Sequence, residues 1–153
     1  MLRDHPIAEN DALDPVSFVL NILWLVAGGD IAALGWFVAA LIMAVTIIGI
    51  PFARAAFDNG VYTLWPFGVR AVDRDRFYGE DIGTGPLGFL GNIVWFIFAG
   101  WWLALGHFFA ALALGITIIG LPFAWAHFKL AGFALWPIGR AVVRSDIRRR
   151  YYY

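Results

Sequence analysis

The side chains in this sequence that could do chemistry in an apolar setting come in pairs. Asn21 is matched by Asn92, Thr46 by Thr117, Gly49 by Gly120 and Pro51 by Pro122, each at an offset of 71 residues, 92 less 21. The last three pairs belong to one heptad, Thr46-Ile47-Ile48-Gly49-Ile50-Pro51-Phe52, which returns as Thr117-Ile118-Ile119-Gly120-Leu121-Pro122-Phe123. A proline inside a helix has no N–H to donate, and its ring disrupts the bond to the carbonyl four residues earlier. That would free the carbonyls of Ile47 and Ile118. In hydrocarbon such a group must meet water, a neighbouring helix or a hydroxyl such as Thr46 or Thr117. The heptad therefore predicts a helix end at a membrane interface, a kink packed inside protein, or the polar lining of a path. Asn21 and Asn92, amides in apolar sequence, predict either interhelical hydrogen bonds, worth about 0.6 kcal/mol in membrane measurements, or a polar cavity wall.

Other chemistry finds no constellation. His5, His107 and His127 lie far apart in sequence, without metal-ligand spacing or a flanking carboxylate. His107, in an apolar run, is the one functional hypothesis by position. With no cysteine there is no disulfide and no thiolate nucleophile, and no acid–base pair or activated nucleophile can be named. The expectation is a protein that is not an enzyme and holds no metal or cofactor.

Composition says what must position these groups. The chain is 61% hydrophobic and 14% charged, against about 45–50% and about 25% in soluble domains, so its length is spent on membrane-embedded segments. The acidic start, without a basic leading region or small-residue cleavage site, does not read as a signal peptide. Residues 1–14 read as a polar N-terminal segment, 15–72 as repeat 1, 73–85 as a polar linker, 86–143 as repeat 2 and 144–153 as a basic, aromatic tail.

Asp14-Pro15 supplies an N-cap and a first-turn proline. The apolar run from Val16 to Phe52 is then about twice the ~20 residues that cross a bilayer once, so it predicts a hairpin. Its turn is expected at Gly28-Gly29-Asp30, with Gly35 as the alternative, and at Gly100 or Gly106 in the second copy. Ala53 to Trp65, with Phe57, Val61 and Leu64 on one face and Arg54 and Asp58 on another, reads as an interfacial helix. Trp24, Trp36, Trp65, Trp95, Trp101, Trp102 and Trp136 read as interface belts. Small residues at i, i+4 (Gly35 and Ala39, Gly106 and Ala110) predict close helix packing.

The fold class expected is an all-α integral membrane protein of two tandem parallel repeats, each a hairpin plus an interfacial helix, with about four embedded helices. Arg54, Arg70, Arg74 and Arg76 follow copy one, and Lys129 with the C-terminal arginines follows copy two. By the positive-inside rule both regions, and both termini, are cytoplasmic. Arg148, Arg149 and Arg150, beside three tyrosines, are expected to hold anionic headgroups at about 1 kcal/mol per arginine. Nucleic acid is not an expected partner, since the remaining polar surface is acid-balanced.

The paired Asn-Ile-x-Trp, Leu-Gly, Thr-Ile-Ile-Gly-(Ile/Leu)-Pro-Phe and Leu-Trp-Pro-(Phe/Ile)-Gly segments, with Phe128-Lys129-Leu130-Ala131 in copy two, resemble the YccF family, the bacterial inner membrane component domain. Copy one departs from the pattern at Asp30 and at Phe57-Asp58-Asn59-Gly60. The resemblance implies a location in the bacterial inner membrane and no settled activity. Two functions compete: a homo-oligomeric permeation component whose paired heptads line a path, which is favoured, and a structural or accessory subunit that binds a membrane protein partner or anionic lipid without flux.

Overall fold

The computed structural model describes residues 14–46 and 49–145. The elements run α1 (Pro15–Trp24), a five-residue π-turn (Leu25–Gly29), α2 (Asp30–Val45), α3 (Ile50–Leu64), β1 (Val69–Asp73) and α4 (Asp75–Tyr78). The same order then returns as α5 (Pro86–Trp95), a π-turn (Phe96–Gly100), α6 (Trp101–Gly115), α7 (Leu121–Leu135) and β2 (Arg140–Arg144). Pro15–Val45 and Pro86–Gly115 are each apolar and long enough, at 31 and 30 residues, to cross a membrane. As the sequence predicts, Asp14 caps α1, its carboxylate accepting from the Ser17 N–H at 3.3 Å with Pro15 in the first turn.

The hairpins fall elsewhere than the glycine pairs suggest. Helix runs on past Leu25–Gly29 and Phe96–Gly100, bent at Gly28, whose φ of 104° suits glycine. The pairs that pack along each other are α2 with α3 and α6 with α7. Each hairpin therefore reverses between α2 and α3 or between α6 and α7, at the repeated heptad, and α3 is its second arm. The reason is steric. A Cβ on Gly49 would lie 2.4 Å from the Met43 carbonyl oxygen, and one on Gly120 would lie 2.0 Å from that of Leu114. Only glycine lets the chain reverse so tightly.

Pro51 and Pro122 correspondingly stand in the first turn of α3 and α7, where the missing N–H is one of the helix's orphan donors. No interior helix bond is lost. The Ile118 carbonyl expected to be free accepts from the Leu121 N–H at 3.3 Å, while Ile47 lies outside the described residues.

The all-α expectation is corrected by a small sheet. β1 and β2 pair antiparallel, with Val69 opposite Arg144, Ala71 opposite Val142 and Asp73 opposite Arg140. At the 71-residue offset each of these pairs maps onto another pair of the same ladder, or onto itself at Ala71–Val142. The core has the same reciprocity. Trp24 of the first half stacks on Phe123 of the second (6.2 Å, 17°), and Trp95 of the second stacks on Phe52 of the first (6.0 Å, 20°). Self-complementary contact of this kind is what a two-fold relation generates. Trp24, Trp36 and Trp95 are thus buried at 5, 9 and 4% exposure, correcting their placement in an interface belt, whereas Trp102 and Trp125 are exposed.

The outward surface is apolar. Val26, Ile31, Val45, Ile97 and Phe98, among many others, are exposed. On α3 the polar Asn59 and Thr63 face inward while Phe57 and Val61 face out, the inverse of a water-soluble helix and the arrangement that lipid selects.

Candidate functional site

Asn21 and Asn92 form two equivalent clamps. The Asn21 Nδ2 donates to the Phe67 carbonyl at 3.0 Å, and its Oδ1 accepts from the Phe67 N–H at 3.0 Å. Asn92 does the same to Ile138, at 2.8 and 3.0 Å. Beside each clamp a tryptophan indole N–H donates to a carbonyl of the following hairpin arm, Trp24 to Thr63 and Trp95 to Ala134, both at 2.7 Å. Proline creates the need. Pro66 and Pro137 end α3 and α7, so the next residue's backbone N–H and C=O have no helical partner; an amide, carrying one donor and one acceptor, satisfies both. In place of the interhelical partner the sequence suggests, each amide bonds the backbone of a residue just past a helix end.

Thr46 and Thr117 close the hairpin turns. The Thr46 hydroxyl donates to the Met43 carbonyl at 2.9 Å and accepts from the Gly49 N–H at 3.1 Å. Thr117 repeats this with Leu114 and Gly120 at 3.1 and 3.0 Å. Each threonine hydroxyl thus bonds within its own turn.

His107 and His127, read as unrelated in sequence, meet across the second hairpin with their Nδ1 atoms 3.0 Å apart. One ring must donate and the other accept, which fixes complementary tautomers. Thr117 lies midway between them in sequence, so placing the hairpin turn at the heptad would have found this contact. Among the described residues no group of three or more His, Cys, Asp or Glu side chains gathers as a metal site.

Lys129 reaches from α7 to the other half of the chain. Its Nζ donates to the Pro66 carbonyl and, at 3.3 Å, to that of Val69, above the rings of Tyr62 and Phe67 (5.6 and 5.8 Å). It thereby caps the turn between α3 and β1. Copy one's matched residue, Asp58, instead lines a cavity of about 230 Å³ with Arg54, Arg74, Tyr78 and the inner edge of β2. Arg74 there is 6% exposed. It donates through Nη2 to Asp81 at 2.6 Å, its Nε has no protein partner, and Arg54 approaches the other Asp81 oxygen at 3.9 Å. The Arg74 hydrogen bond, first, holds the Asp81 carboxyl below its ordinary range, and backbone N–H groups of Gly83 and Thr84 add to it.

Asn59 and Thr63, one turn apart on α3 and fully buried, have no hydrogen-bond partner on Asn59 Nδ2, Asn59 Oδ1 or Thr63 Oγ1. Sequence reading passed over them, since a two-residue polar break in a helix carries no pattern. At the 71-residue offset their counterparts in the second copy are Leu130 and Ala134. Arg148, Arg149 and Arg150 lie outside the described residues.

Paired apolar hairpins with outward-facing aliphatic side chains define a helical membrane protein. The family model described as "Inner membrane component domain", YccF, matches residues 19–69 and 90–140. The inner membrane protein YccF of Escherichia coli (strain K12) and that of Shigella flexneri are each 42% identical over 130 residues, covering 84% of this chain and 88% of the relative. The chain belongs to the YccF family. No solved structure matches it.

Proposed function

We propose that this chain is a structural or accessory component of the bacterial inner membrane, built from two tandem hairpin repeats that enter from the cytoplasmic face, and that it carries no flux of its own. The observation that supports this is the use of the paired polar residues. Asn21, Asn92, Thr46 and Thr117, the groups best suited to line a path, all spend their hydrogen bonds inside the protein. The two-fold axis of an antiparallel strand pair stands perpendicular to the sheet, so hairpins attached to β1 and β2 leave on one side. That favours parallel repeats. Arg70, Arg74, Arg140 and Arg144 around the sheet then favour the cytoplasm for this layer, and with it both termini. The same arginines suit anionic headgroups, and the exposed apolar flanks suit a second copy or another membrane protein.

The permeation reading draws support from one feature, the buried, unpartnered Asn59 and Thr63, which are what a polar path through the protein would need. Solute and ion flux in reconstituted vesicles separates the two. A folded parent protein that passes no more than empty vesicles is expected. Flux in the parent that disappears in Asn59→Leu with Thr63→Ala, the residues of the other half, would overturn the accessory reading. Orientation is read separately with Tyr78→Cys in this cysteine-free chain: an impermeant thiol reagent should label it in inverted vesicles and not in intact cells.

A further inference from the structure

We propose that the two hairpins are re-entrant: α2–α3 and α6–α7 dip into the bilayer from the side of the sheet and return to it, their turns held in hydrocarbon without reaching the far surface. This rests on the one-sided placement proposed above. Depth is the first argument. The sheet layer carries Arg70, Asp73, Arg74, Asp81, Arg140 and Arg144, which belong outside the hydrocarbon. From that layer to the turn run at most the 15 residues of α3 or of α7, since Arg54 near the start of α3 also reaches Asp81, at 3.9 Å. At 1.5 Å per residue this is about 22 Å, against about 30 Å of hydrocarbon.

The turn itself is the second argument. No Asp, Glu, Lys or Arg occurs between Asp30 and Arg54, or between Asp81 and Lys129. In the second hairpin Ile116, Ile118 and Ile119 are 86, 87 and 84% exposed. A turn that emerged into water would present these three isoleucines to it and offer no polar side chain but Thr117.

Hydrocarbon penalises unpaired polar groups in a non-helical turn, and bonds within these turns reduce their number. The Gly120 N–H bonds both the hydroxyl and the carbonyl of Thr117, Leu121 bonds Ile118, and Ala124 bonds Gly120 at 2.8 Å. Thr46 and Gly49 make the matching bonds in the first hairpin. The clamps complete the picture. Asn21 and Asn92 fix α1 and α5 to the backbone of Phe67 and Ile138, beside the charged layer.

Single cysteines at Ile118 and Ile50, with Tyr78→Cys as a surface reference, test this with an impermeant maleimide in intact cells and in inverted inner-membrane vesicles. The expected result is background labelling of Ile118→Cys and Ile50→Cys from both sides, with full labelling after detergent denaturation, while Tyr78→Cys reacts from one side. An environment-sensitive fluorophore at Ile118→Cys should be quenched most by lipids carrying the quencher deep in the acyl chain. Labelling of Ile118→Cys from the side opposite Tyr78→Cys would overturn the proposal in favour of full spans. Labelling from the same side as Tyr78→Cys would overturn it in favour of hairpins lying outside the bilayer. Tyr78→Cys reacting from the periplasm with both turns protected would reverse the orientation and leave re-entry standing. Tryptophan emission of each variant checks that it folds, and the two turn positions report independently.

Discussion

Replacing Asn92 with alanine should destabilise the protein by an amount the clamp geometry sets. Asn92 is 1% exposed and holds both backbone groups of Ile138, its N–H at 3.0 Å and its C=O at 2.8 Å. Alanine reaches neither, and Pro137 leaves no helical partner to take over. Two buried groups left unpaired at about 1–3 kcal/mol each give a loss of about 2–6 kcal/mol. Membrane hydrogen bonds measured at about 0.6 kcal/mol each set a floor near 1.2 kcal/mol, reached if the Ile138 segment shifts to find other partners. Asn92→Asp should be worse than alanine, because it keeps the acceptor for the N–H but sets a carboxylate oxygen against the Ile138 carbonyl oxygen. Asn21→Ala should match Asn92→Ala through Phe67, and since the two clamps share no partner the double variant should lose roughly the sum. Denaturation in detergent micelles, followed by tryptophan emission, measures all four. If both alanine variants lie within about 0.5 kcal/mol of the parent, the range of an ordinary surface substitution, the amides are not clamps and the cavity-wall reading returns.

Two glycine substitutions should diverge in sign. Gly120→Ala puts a Cβ 2.0 Å from the Leu114 carbonyl oxygen and should prevent the turn from forming, while Gly106→Ala, with nothing within 4 Å in mid-helix, should stabilise by about 0.5–1 kcal/mol; thermal melts compare them. Lys129→Met keeps the stem but strips the donor from the Pro66 and Val69 carbonyls, and should cost about 1–3 kcal/mol, with faster proteolysis near residue 69 as its local readout. Asp81 is a carboxyl whose folded pKa lies below its ordinary 3.8, so the stability it contributes is present above that value and is lost as pH falls through the lower, folded one; Asp81→Asn should flatten the acid limb of a stability–pH curve and leave the neutral region least changed in slope.

Sequence alone determined the membrane class, the 71-residue duplication and the Asp14-Pro15 helix start, because each is carried by local composition or by letters repeated at fixed spacing. It also placed Asn21 and Asn92 among hydrogen-bonding residues, since an amide in apolar sequence has few other fates. Which partner each would find was not local. The Asn92–Ile138 and Asn21–Phe67 bonds span 46 residues, and nothing short of the packed hairpin brings them together. The turn position was decided by tertiary packing as well. Paired glycines at Gly28-Gly29 look like the stronger breaker by propensity, yet the chain only kinks at Gly28, while the heptad reverses because Gly49 and Gly120 alone admit the close approach of the preceding helix's last carbonyls. From that one shift follow the meeting of His107 with His127, the burial of Trp24 and Trp95 against the opposite half, and a sheet formed by strands that begin 71 residues apart, 140 less 69. Each depends on contacts between segments that the chain brings together only once both hairpins have formed, so no window of sequence shorter than a whole repeat contains the information.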